Sequence, residues 1–118
     1  MSKKTFAVDW DGTLVTYDGY KGPVMYGAPI PRMVARVKGW LQDGHEVVIF
    51  TARVSIEHDI DKIKQEKETI YVALHDMGLP PLLITANKFA RFTEIWDDRA
   101  VGVERNTGIV RNEDMGTL

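Results

Sequence analysis

Two short apolar runs, Thr5-Phe6-Ala7-Val8 and Val47-Val48-Ile49-Phe50, each stop at a polar residue, Asp9 and Thr51. Runs of this length, with β-branched and aromatic residues and no polar alternation, suit strands buried on both faces, as in a parallel sheet. Parallel neighbours cannot be joined by a tight turn, so a crossover, usually helical, has to separate them. Between the runs, Val34, Val37, Trp40 and Leu41 recur at helical spacing. Pro31 can occupy a first helical turn, and Gly44 supplies a stop. The fold class that follows is α/β, a mostly parallel central sheet flanked by helices.

Downstream, Ile56, Ile60, Ile63, Lys67, Ile70, Leu74 and Met77 step by four and three. This predicts a core-facing surface helix over about 55–77, with Lys67 laying its stem along apolar surface. Gly78, Pro80 and Pro81 end it, and Leu82-Leu83-Ile84 reads as a third strand. Phe92-Thr93-Glu94-Ile95-Trp96 reads as a fourth, ending at Asp97-Asp98. Val101 and Val103 suggest a short fifth strand, and Gly108-Ile109-Val110 an edge strand. Residues 14–30 hold Gly19, Gly22, Gly27, Pro23 and Pro29 with Tyr17, Tyr20 and Tyr26, a composition that predicts a structured loop or small flap. One domain over 1–118 accounts for the chain.

Composition narrows the function classes. Apolar residues make up 44% of the 118 and charged ones 27%, an ordinary globular balance. A formal net charge of -2 does not steer the whole molecule toward nucleic acid or an anionic membrane. The absence of cysteine excludes disulfides and thiolate metal sites. The opening apolar run is too short for a signal peptide and no stretch suits a membrane helix, so a cytosolic protein is expected.

Three candidate strands end in Asp9, Thr51 and Asp97, and ligand sites in open α/β sheets form beyond the carboxyl ends of strands. Asp9, Asp11, Asp97 and Asp98 should therefore converge. A hard cation relieves such like-charge repulsion, and an all-oxygen donor set suits magnesium. On the phosphate side, Asp11-Gly12-Thr13 leaves a strand in a turn whose backbone N–H groups can form an anion-binding concavity. Thr51 offers a hydroxyl donor, and Lys88 can offset developing negative charge. Arg53 should emerge at the mouth of the site, to bind substrate or to pair with the acids. Tyr17, Tyr20 and Tyr26, with Lys21, either stack on a base or aromatic leaving group or simply pack the flap. His45, His58 and His75 share no metal-binding spacing and are expected to face solvent.

Asp9-Trp10-Asp11-Gly12-Thr13-Leu14 resembles the first signature of the haloacid dehalogenase-like (HAD) superfamily, and Phe50-Thr51-Ala52-Arg53 is similar to its second. Asn87-Lys88 and Trp96-Asp97-Asp98-Arg99 match the third and fourth, in the expected order. The resemblance implies a Rossmann-like core and a phosphatase. Asp9 would attack phosphorus to give an aspartyl-phosphate. Asp11 would protonate the leaving group and later activate water, while Thr51 and Lys88 hold the phosphoryl oxygens. Magnesium would be bound by Asp9, the backbone carbonyl of Asp11 and the Asp97-Asp98 pair, with Asp97 the direct ligand and Asp98 close by.

With room only for a flap at 14–30, the chain looks like a cap-less member with an open site. A small phosphorylated metabolite, a nucleotide or a nucleic-acid terminal phosphate is the expected substrate, as in compact polynucleotide and nucleotide phosphatases. A second subunit of a homo-oligomer would be another way to complete the site. Two further readings stand beside this one: a phosphotransferase using an acceptor other than water, and a phosphate-binding protein without turnover. Carbon–halogen hydrolysis, also found in the superfamily, suits Asp11 less well.

Overall fold

The two apolar runs become the two central strands of one sheet. In the computed structural model, which describes residues 2–111, they are β1 (Thr5–Asp9) and β2 (Glu46–Phe50). Around them, in chain order, lie α1 (Pro31–Gln42), α2 (Ile60–Asp76), β3 (Ile84–Thr85) and β4 (Glu94–Trp96), with a 3-10 turn at Ala52–Val54 following β2. The strand order is β3-β2-β1-β4 and every pairing is parallel. Burial explains why the central strands lack polar alternation: Phe6, Ala7, Val8, Val47, Val48 and Ile49 are all shielded from solvent.

Val8, Val47 and Ile49 form one core cluster with Met33 and Val37 of α1 and Ile70 and Leu74 of α2. Each such side chain contributes about 1.5–3 kcal/mol by leaving water. Phe6 stacks on Trp40 with ring centroids 4.0 Å apart, and Trp40 meets Trp96 edge-on at 5.1 Å, which ties α1 to β1 and β4. No helix among the described residues is long and apolar enough to cross a membrane.

The second helix is shorter than its apolar stripe suggests. Asp59 accepts the Lys62 N–H at 2.9 Å and caps the helix, while Ser55 to His58 form a separate turn. Ile56 and Ile60 are therefore left 91% and 81% exposed, and the packed stripe begins at Ile63. Its next buried member is Glu66 rather than Lys67. Val103 and Val110 pair with each other in an antiparallel bridge, so neither the expected fifth strand nor the expected edge strand joins the sheet.

Residues 14–30 form a loop closed at its base, where Ile30 N–H donates to Leu14 O and Thr16 N–H to Ala28 O, both at 2.9 Å. Gly27 is required there, because a Cβ would overlap Thr16. The register sets the site. Asp9 lies opposite Phe50 and Val8 opposite Trp96, so Thr51 and Asp97, one residue further on, flank Asp9 at the carboxyl edge.

Candidate active site

A cleft of about 780 Å³ opens at this edge. Its floor includes Asp9, Asp11, Thr51, Asp97 and Asp98. Asp9, Asp97 and Asp98 each place a carboxylate oxygen within 4.8 Å of the others. None of the three has a cationic side-chain partner among the described residues. The Asp9 carboxyl is consequently pushed up to about 7, first by burial, then by the charge of Asp97 and by a hydrogen bond with, and the charge of, Asp98. A backbone hydrogen bond from Trp10 opposes the shift. The donor set is all oxygen and uncompensated, which fits a hard divalent cation.

Local turns aim these acids. Asp97 accepts the Arg99 N–H at 2.8 Å, and the Thr13 hydroxyl donates to Asp9 Oδ2 at 3.4 Å. Gly12 has φ +84 and lies so close to the Asp98 carboxylate that a Cβ would collide with it. Glycine is needed here for both conformation and approach. Two of the donors expected to line an anion-binding concavity at Asp11-Gly12-Thr13 are turned into the loop itself. The Gly12 N–H donates to Val15 O at 2.8 Å and the Thr13 N–H to Trp10 O at 3.4 Å.

The Asp11 side chain stands apart from the carboxylate trio. Arg53 holds it from both sides, Nε on Oδ2 at 2.7 Å and Nη2 on Oδ1 at 2.9 Å. The guanidinium also donates to Glu66 Oε2 at 3.0 Å and to the Met25 carbonyl at 2.7 Å. Burial alone would lower the Arg53 pKa, but hydrogen bonds and charge from Asp11 and Glu66 outweigh it and push it up. Of the two roles open to Arg53 in the sequence, pairing with an acid is the one its geometry takes. Thr51 is buried in the cleft wall and its Oγ1 accepts the Arg53 N–H at 3.2 Å, which leaves the hydroxyl proton to donate.

Tyr17 and Tyr20 line the outer wall, where the Arg53 and Lys62 cationic groups lie 5.6 and 5.8 Å from the Tyr20 ring centre. Tyr26 packs instead, its ring edge-on to Trp10 and its hydroxyl donating to Thr69 O at 3.1 Å. Lys21 pairs with Asp18 at 3.1 Å on the surface. Lys88 is exposed, forms no ion pair with any described residue and does not line the cleft.

Among the described residues the cations that do face the cleft, besides Arg53, are Lys62 and Arg99, with His58 beside Lys62 at 3.2 Å. Neither lysine spacing nor charge count singles out Lys62. Periodicity does not single out Glu66 either, because Lys67 fits the stripe of Ile63, Ile70 and Leu74 at least as well. Of the other histidines, His75 is exposed, whereas His45 is half-buried and accepts the Lys4 N–H at 3.0 Å.

No family model matches the sequence, and no curated protein matches it. The solved structure of a conserved protein from Bacteroides thetaiotaomicron is similar in fold: it is 24% identical, the match covers 87% of this chain and 83% of that one, and the TM-score is 0.57. At that identity the likeness speaks to the fold alone.

Proposed function

We propose that the protein is a magnesium-dependent phosphomonoester hydrolase of the haloacid dehalogenase-like type, with Asp9 as nucleophile. The observation that carries this reading is the pairing of two differently held acids at one strand end: Asp9 in an uncompensated carboxylate trio, and Asp11 turned away onto Arg53. Asp9, Asp97 and Asp98 would hold magnesium, with the Asp11 backbone carbonyl beside them. The cation would neutralise the trio and screen phosphate from an anionic nucleophile.

In this mechanism an Asp9 carboxylate oxygen attacks phosphorus, the ester oxygen departs, and an aspartyl-phosphate forms. Asp11 gives its proton to the departing oxygen and then takes one from the water that hydrolyses the intermediate. To carry that proton on Oδ1, Asp11 has to release Arg53 Nη2, which keeps the Met25 carbonyl as an acceptor. The Thr51 hydroxyl donates to a phosphoryl oxygen. Lys88 needs to swing inward to do the same, from a position two residues beyond Ala86 in the cleft wall. The cationic outer wall and Tyr20 suit a substrate with a body beyond its phosphate, such as a nucleotide or nucleic-acid end.

Phosphate release should be measured with magnesium across an aryl phosphate, nucleoside monophosphates and 3′- or 5′-phosphorylated oligonucleotides. Release that stops on chelation is expected; no release from any of them overturns the reading. Transfer to added alcohols would instead favour a phosphotransferase. Asp97→Asn is expected to weaken magnesium affinity at least about tenfold as well as rate, checked by metal titration. Lys88→Ala is expected to lower kcat about 10²-fold if its ammonium reaches the transition state. An unchanged kcat would pass that role to Lys62 or Arg99.

A further inference from the structure

We propose that Glu66 is a positioning residue that couples the flap to Asp11 through Arg53. The proposal rests on the phosphatase reading for the role of Asp11, and its geometry stands without it. Glu66 occupies a core position of α2 and is 1% exposed. A carboxylate is costly there unless both oxygens are engaged. One oxygen, Oε2, accepts Arg53 Nη1 at 3.0 Å; the other, Oε1, accepts the flap's Val24 N–H at 2.6 Å. Arg53 then spends three of its four other donors on Asp11 and on the Met25 carbonyl. A planar fork with five donors can serve these partners together, and a lysine cannot.

The flap is held against a local preference. Val24 has φ +56, a left-handed conformation that a β-branched residue adopts only when its surroundings impose it. Its N–H bond to Glu66 and the bond that the neighbouring Met25 carbonyl accepts from Arg53 restrain that segment, beside the Met25 N–H on Gly22 O and the packed Tyr26. Moving the flap therefore loosens Arg53, and among the described residues Arg53 alone holds both oxygens of the Asp11 carboxylate. Tyr17 and Tyr20 ride on the same flap and line the cleft. A substrate that engages them acts on the orientation of Asp11 through the Glu66–Arg53 pair.

The test is Glu66→Gln, which keeps the volume but presents one acceptor to two converging donors, so Arg53 or Val24 is left unpaired. With an alkyl phosphate, the first turnover, read by rapid quench, is expected to slow about 10–100-fold with the half-saturating substrate concentration changed less than about threefold. With an aryl phosphate, whose departure needs little proton donation, the first-turnover loss should be only a few-fold. In an Asp11→Asn background the substitution should cost nothing further, since it acts through that residue. Equal losses for both esters, or losses that add to those of Asp11→Asn, would overturn the proposal.

Two readouts need no turnover: amide exchange at Val24–Tyr26, and the NMR signal of Arg53 Nε–H. Exchange should speed up at least about tenfold in Glu66→Gln, and the signal should broaden or vanish. If both match the unsubstituted protein, the coupling is wrong whatever the activity. If the unsubstituted protein hydrolyses no ester, the phosphatase reading fails, and these two readouts still decide the coupling. Should Glu66→Gln not fold, Glu66→Asp keeps the charge but shortens the reach, and is read the same way.

Discussion

Asp9→Asn is expected to reduce turnover at least about 10⁴-fold, because an amide cannot form the acyl-phosphate bond and the remaining groups act only in support of it. The fold should survive. Asp9 ends β1 at the sheet edge, where its side chain contacts solvent in the cleft, and asparagine has nearly its shape. Magnesium-free protein offers a second, independent measurement on the same variant. With its carboxyl pushed up to about 7, Asp9 keeps a proton in the folded state that the unfolded chain has lost above the ordinary carboxylate range. The folded state then binds more protons than the unfolded one, so stability contributed by this group falls as pH rises from about 4 to about 7.

Asparagine removes that penalty. Metal-free Asp9→Asn should therefore be the more stable protein at pH 8, by about 1–2 kcal/mol once solvent screening on the cleft side is allowed for. The difference should shrink toward pH 4. Saturating magnesium should also reduce it, since the cation would relieve the repulsion that raised the pKa. Urea denaturation at the two pH values, with and without magnesium, reads all of this. A variant that keeps near-native turnover would remove Asp9 as nucleophile. One that loses turnover but gains no stability at pH 8 would show that the carboxylate trio is less strained than its geometry indicates.

The central strands were legible because burial on both faces leaves a residue-type signature, an unbroken apolar run, that needs no knowledge of partners. The acids were legible for a related reason: an abrupt polar residue at the end of such a run has nowhere to go but the sheet edge. The start of α2 was not. Ile56 and Ile60 continue the apolar spacing, but the Asp59 cap starts the helix at Ile60, which leaves Ile56 outside it and Ile60 on its first turn, and their exposure is a tertiary outcome that periodicity does not encode. Glu66 was missed because apolar periodicity scores a glutamate as solvent-facing. Its burial depends on Arg53 and on a flap far away in sequence, both of which must be placed before the carboxylate has partners. The backbone donors of Gly12 and Thr13 were not legible for a local reason: whether a turn keeps its N–H groups free is decided by how tightly it winds, and here the carbonyls of Val15 and Trp10, each three residues away, accept them.

Asp11→Asn should separate proton transfer from simple site structure. Asparagine keeps the backbone carbonyl and the side-chain outline, and one oxygen can still accept from Arg53. It cannot deliver a proton as a carboxylic acid does. The other position becomes an NH2 facing an Arg53 donor, so part of the fork is lost as well. For an alkyl phosphate, whose leaving oxygen is basic, the first turnover is expected to slow about 10²–10⁴-fold, the usual worth of a positioned proton donor. For an aryl phosphate, whose leaving group departs as a stable anion, the first turnover should slow much less. Hydrolysis of the aspartyl-phosphate should still be impaired, because the same residue activates water, so the intermediate should accumulate with the aryl ester. Rapid-quench measurement of the first turnover with both esters, alongside a magnesium titration, distinguishes the outcomes. A large alkyl-specific loss with metal affinity kept supports acid–base catalysis. Equal losses for the two esters together with weakened magnesium binding would make Asp11 a structural partner of Arg53 and leave the proton donor to be sought among the other groups of the cleft, of which His58 and Lys62 face the same space.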